Sequence, residues 1–177
     1  MKVETEDVSE LPSARPWKTT GADGRDEPLA VDGVRLLEVR LIKDSRGTLL
    51  AREVADGSLP FVPQRCFVVF DVPSEELRGE HAHRRLEQLL ICLAGSVTCV
   101  VDDGSRRQEV VLDEPARALY LPPMVWGIQH RYSADARLLV LASDGYDPAD
   151  YIRDYQLFRE ERRIFDRQRS GRERATP

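Results

Sequence analysis

The sequence predicts an all-β chain, folded as a double-sheet jelly roll with a short C-terminal helix. Three observations predict this. Short β-rich apolar runs recur at about ten-residue spacing between Val34 and Ala142. Turn signals such as Ala94-Gly95, Asp102-Asp103-Gly104 and Pro122-Pro123 separate them. No helical segment lies between the runs, which argues against a parallel α/β sheet, and the run count fits a jelly roll.

Residues 1–33 are polar, rich in Gly, Pro, Asp and Thr, and read as an irregular arm. The strand region covers 34–145. Its predicted runs are Val34–Ile42, Gly47–Val54, Gln64–Val72, Glu80–Arg84, Glu87–Leu93, Val97–Val101, Gln108–Leu112, Arg117–Leu121, Val125–Tyr132 and Arg137–Ala142. After Gly145 the pattern changes. Asp147 is a helix cap, Pro148 suits the first position and Asp150 adds an acid to the first turn. Tyr151, Ile152, Tyr155 and Phe158 then fall at helical spacing, so residues 146–177 read as a helix packed on the sandwich and a charged tail.

With 177 residues the chain is one domain plus tails. Its net charge of -5 and pI of about 5.3 argue against a nucleic-acid partner, which would call for a basic face. No stretch approaches the roughly 18 apolar residues of a membrane span. The acidic start Met1-Lys2-Val3-Glu4-Thr5-Glu6-Asp7 lacks an apolar signal region. Cys66, Cys92 and Cys99 are odd in number and sit in apolar runs, so reduced thiols and a cytoplasmic location are expected.

Histidine is scarce. Of His81, His83 and His130, two lie in Arg78-Gly79-Glu80-His81-Ala82-His83. Residues i and i+2 of a strand share a face, so His81 and His83 look the same way. One reading is a metal site made of His81, His83, Glu87 and His130, since imidazole and carboxylate suit Fe, Mn, Ni or Zn. The second is metal-free proton transfer, because imidazole titrates near neutral pH. The third is a pair of structural histidines bonded to their neighbours. Arg46 and Arg78 are candidates for charge near a substrate. Trp126 is either a pocket wall or a core aromatic.

The stretch from about Arg46 to Phe158 resembles the sugar 3,4-ketoisomerase family of cupins, which act on dTDP-4-keto-6-deoxyglucose. The matching residues begin with Asp44-Ser45-Arg46-Gly47-Thr48-Leu49, Leu59-Pro60-Phe61 with Arg65, and Asp71-Val72-Pro73. The core is Arg78-Gly79-Glu80-His81-Ala82-His83 with Gln88-Leu89-Leu90-Ile91-Cys92 and Gly95-Ser96-Val97. Asp102-Asp103-Gly104, Pro122-Pro123-Met124-Val125-Trp126 and Asp150-Tyr151-Ile152-Arg153-Asp154-Tyr155 complete it. The resemblance implies a cupin jelly roll, a homodimer with exchanged strands, and no metal or other cofactor. It implies that His81 and His83 move a proton between C3 and C4 of the sugar. Arg46, Arg78, Gln88 and Trp126 are then the expected substrate-binding residues, and the product feeds amino-deoxysugar synthesis.

The chain departs from this pattern in one strand. Many relatives carry tyrosines after the position of Arg65, where this chain reads Cys66-Phe67-Val68-Val69-Phe70. Tyr120, Tyr132 and Tyr151 are the candidates to replace a hydroxyl there. Three further readings stay open at this level. They are an epimerase on the same substrate, a metal-dependent cupin such as a dioxygenase, and a non-catalytic sugar-nucleotide-binding cupin.

Overall fold

A computed structural model describes residues 26–173, apart from Glu53, Ala55, Asp56 and Ser58. Most of the expected arm lies outside the described residues. In chain order the elements are β1 (Glu27–Pro28), β2 (Arg35–Glu38), β3 (Leu41–Asp44), β4 (Gly47–Leu50), β5 (Arg65–Phe70), β6 (Arg78–His83) and β7 (Gln88–Ala94). They continue with β8 (Val97–Asp102), β9 (Arg107–Leu112), β10 (Arg117–Leu121), β11 (Trp126–His130), β12 (Arg137–Ala142), β13 (Tyr151–Ile152) and α1 (Tyr155–Glu173). The strands pair antiparallel into a six-stranded sheet, β1-β2-β10-β7-β12-β5, and a five-stranded sheet, β13-β6-β11-β8-β9. The hairpin β3-β4 forms a small sheet of its own.

Side-chain alternation explains the layering. In β7 and β12, Leu90, Cys92, Leu138 and Val140 point between the sheets and meet Val97, Cys99 and Val101 of β8. The intervening residues, Leu89, Ile91, Leu139 and Leu141, are also apolar and point outward. There they join Leu37, Ala118 and Tyr120, with Leu50, Leu59 and Phe61 packed on top. The six-stranded sheet is thus apolar on both faces.

The outer face of the five-stranded sheet is covered by α1. Phe158, Tyr155 and Phe165 pack on Ala82, Met124, Trp126 and Ile152. Phe158 is fully buried, a contribution of about 1.5–3 kcal/mol. Arg162 ties the helix down, donating to the Met124 carbonyl at 3.0 Å and to Asp32 at 2.7 Å.

Two local expectations change here. Asp147 does cap a turn, accepting from the Ala149 N–H at 2.9 Å, but that turn is a single 3₁₀ turn over Pro148–Asp150. Tyr151 and Ile152 then pair with β6 as a strand, and α1 begins only at Tyr155, with Asp154 accepting from the Leu157 N–H at 2.8 Å. The unpaired edge of β6 competes for residues 151–152 and wins over their helical spacing. The helix itself, at 19 residues, is longer than the short one expected.

Candidate active site

The site is built at the end of β6. Gly79 and Glu80 both have positive φ, 83° and 54°. The pairing of β6 with β11 shifts register at Gly127/Ile128, which makes a β-bulge. A Cβ on Gly79 would lie 2.6 Å from the Gly127 carbonyl oxygen, so the close approach requires glycine. Beyond the bulge His81 and His83 share one face, with ring centroids 4.9 Å apart and planes at 89°. They wall a narrow cleft between the sheets, with Gln88 and Leu121 from the six-stranded sheet and Gly127 and Gln129 from β11.

Each imidazole is oriented by its Nδ1. His81 donates to the Gly79 carbonyl at 2.8 Å. His83 donates to Asp150 Oδ2 at 3.0 Å, both groups being buried. Because a carbonyl and a carboxylate are acceptors, both rings carry their proton on Nδ1 when neutral. Their Nε2 lone pairs are left for the cleft. His83 Nε2 is buried with no hydrogen-bond partner among the described residues.

Burial sets the proton affinity of both rings. It pushes His83 down to about 4, helped by the neighbouring His81 and opposed by Asp150. His81 is lowered by burial first, with the Gly79 bond opposing and Arg153 adding to the shift. Both rings are therefore bases at neutral pH.

Asp150 is itself held firmly. It accepts from the backbone N–H groups of Arg85 at 2.9 Å and Leu86 at 3.3 Å. Arg84 grips its neighbours, donating to the carbonyls of Ala149 and Tyr151 and, through two nitrogens, to Glu161 of α1. From the other side the Met124 N–H donates to the His83 carbonyl at 2.7 Å.

The structure brings His81, His83 and Gln88 together. It does not bring the other expected residues to the cleft wall. Trp126 alternates with Gly127, faces outward and packs edge-on against Tyr155 beneath α1, so it is a core aromatic rather than a substrate wall. Arg46 stands in the β3-β4 turn with its guanidinium on Asp44 at 2.6 Å. Arg78 is exposed at the start of β6, opposite Gln129. The four-ligand metal reading is also corrected. Glu87 accepts from the Tyr120 hydroxyl, and His130 lies near Glu109 at 3.8 Å. Among the described residues no three His, Cys, Asp or Glu side chains group as a metal site. Sequence reasoning gave Asp150 only a helix-start role and passed over Gln129. For Asp150 the available signal was its place at the head of the Asp150–Tyr155 motif.

A jelly roll with an oriented histidine pair in its cleft has the cupin architecture. The comparisons narrow the class. The family described as "FdtA: WxcM-like, C-terminal" matches residues 32–163, and the chain belongs to it. The chain is 46% identical over 125 residues to the TDP-4-oxo-6-deoxy-alpha-D-glucose-3,4-oxoisomerase of Aneurinibacillus thermoaerophilus, covering 71% of this chain and 89% of that protein. Among solved structures it is similar to the TDP-quinovose 3,4-ketoisomerase WlaRB of Campylobacter jejuni. The TM-score is 0.70 and the identity 38%, covering 73% of this chain and 99% of that one. It is also similar to a histidine-to-asparagine variant of the 3,4-ketoisomerase QdtA from Thermoanaerobacterium thermosaccharolyticum, in complex with TDP-4-keto-6-deoxyglucose. There the TM-score is 0.73 and the identity 33%, covering 76% of this chain and 96% of that one. No helix among the described residues is long and apolar enough to cross a membrane.

Proposed function

We propose that this chain is a 3,4-ketoisomerase of a TDP-linked 4-keto-6-deoxyhexose, with His83 as the base. The observation that carries the reading is the orphaned, buried Nε2 of His83, set against a Nδ1–H locked on Asp150. A hydrogen next to a ketone is weakly acidic. His83 Nε2 takes the C3 proton, the electron pair forms the C3–C4 double bond, and O4 becomes anionic. Asp150 stabilises the imidazolium that results. The O3 proton moves to O4 through the Nε2 of His81, the carbonyl re-forms at C3, and C4 takes up a proton. Gln88 and Gln129 offer amide donors to the sugar oxygens from opposite sides of the cleft.

Arg46 and Arg78 remain the candidates for the diphosphate, as exposed guanidinium groups outside the cleft wall. The product suits conversion to an amino-deoxysugar, and a cytoplasmic location fits three cysteines that are all free. The working unit in this reading is a homodimer in which a strand segment crosses to the partner. Its support is the outer face of the six-stranded sheet, where Val68, Phe70 and Leu93 stay exposed, together with a β3-β4 hairpin that belongs to neither large sheet. The direct test is incubation with TDP-4-keto-6-deoxyglucose. Appearance of the 3-keto sugar supports the reading, and an unchanged substrate in the presence of folded protein overturns it.

A further inference from the structure

Neither histidine is set to give up a proton at the start of turnover. Both Nδ1–H groups are committed to Gly79 and Asp150, and burial leaves both rings neutral. Yet C4 must receive a proton. In this chain the strand after Arg65 carries no hydroxyl among residues 66–70, so the donor, if it is not the imidazolium of His83 itself, comes from another element.

The structure separates the three candidate tyrosines, Tyr120, Tyr132 and Tyr151. Tyr120 points to the outer face, its hydroxyl donating to Glu87. Tyr132 is 2% exposed, inside the main core with Cys92 and Cys99. Tyr151 is directly opposite His83 in the β13-β6 ladder, so the two side chains share a face. Its ring lies 4.3 Å from the His83 ring and 4.9 Å from the His81 ring, centroid to centroid. The Arg153 guanidinium sits 4.4 Å over the Tyr151 ring and holds it by a cation–π contact. Among the described residues no hydrogen bond uses the Tyr151 hydroxyl.

We infer that Tyr151 is the acid that protonates C4, working in relay with His83; this rests on the ketoisomerase reading above. The phenol O–H breaks as the C4–H bond forms, and the electron pair of the enediolate supplies that bond while the C3 carbonyl re-forms. The phenolate then takes from the His83 imidazolium the proton that left C3. Both groups return to their starting state, and no redox partner is involved. The C3 hydrogen thus reaches C4 only by way of the phenol, where it exchanges with water.

Substrate deuterated at C3 tests this in ordinary water, under single-turnover conditions. The intact chain is expected to place protium at C4. Tyr151→Phe keeps the ring packing; its kcat is expected to fall roughly 10²–10⁴-fold with KM little changed. In the slow turnover that remains, His83 carries the label itself, so deuterium appears at C4. Deuterium at C4 from the intact chain would overturn the relay without reference to any variant. So would a kcat for Tyr151→Phe within about twofold of the intact chain, with melting temperature and TDP binding retained. An intact chain that converts no substrate would instead fail the ketoisomerase reading and remove the basis of this one.

Discussion

At the scale of single residues, His83 is kept neutral by burial and aligned by the Asp150 carboxylate. In the unfolded chain an imidazole titrates near 6.5, whereas His83 in the fold is pushed down to about 4. Between those values the unfolded chain binds a proton that the fold rejects. Stability is therefore complete above about pH 6.5 and is lost as pH falls through the window, by up to about 3 kcal/mol. Urea unfolding at stepped pH measures this, and His83→Asn is expected to flatten the dependence. Over the same range kcat/KM is expected to stay level near neutrality and to fall in acid with a midpoint near 4. The pair itself was legible in the sequence, because i and i+2 in a strand must share a face. The pairing of Asp150 with His83 was not legible, because it spans 67 positions and local spacing gave Asp150 a different use.

At the scale of elements, the bulge in β6 decides where the histidines point. Gly79→Ala places a Cβ 2.6 Å from a backbone oxygen at φ 83°. A cost on the order of 1–3 kcal/mol is expected, read as a lower unfolding midpoint together with reduced turnover. A variant as stable and active as the parent would show that the bulge does not set the geometry. The strands were largely legible, since alternation and turn residues agree locally; Arg117–Leu121 and Arg137–Ala142 match the observed strands at both ends. The start of the helix was not. Tyr151 and Ile152 have helical spacing with Tyr155 and Phe158, but the β6 edge satisfies their backbone groups and the turn before them delivers Asp150 to His83. Trp126 shows the same limit: its strand was plain, but which face it took depended on a helix docking from the far end of the chain.

At the scale of the whole molecule, one sheet has two apolar faces and one of them is only partly covered. The outer rows Leu89, Ile91, Leu139 and Leu141 continue into the exposed Val68 and Phe70 of the edge strand β5. In the proposed homodimer a second copy would cover this surface. Sedimentation equilibrium at micromolar concentration is expected to give twice the 20.1 kDa chain mass. The double substitution Val68→Asp, Phe70→Asp is expected to shift it toward one; a single-chain mass for the parent protein would contradict the dimer. The sequence pointed here through its resemblance alone, because a run such as Gln88-Leu89-Leu90-Ile91-Cys92 reads only as a strand buried on both faces, and not by what.

The central claim, that His83 removes the C3 proton of a TDP-linked 4-keto sugar, meets its most direct test in heavy water. Proton NMR would follow the C3–H signal of TDP-4-keto-6-deoxyglucose with the parent chain and with His83→Asn. Loss of that signal and growth of a 3-keto product are expected with the parent chain, and a persistent signal with the variant although it still binds TDP. Equal loss with both proteins would place the base elsewhere and contradict the account.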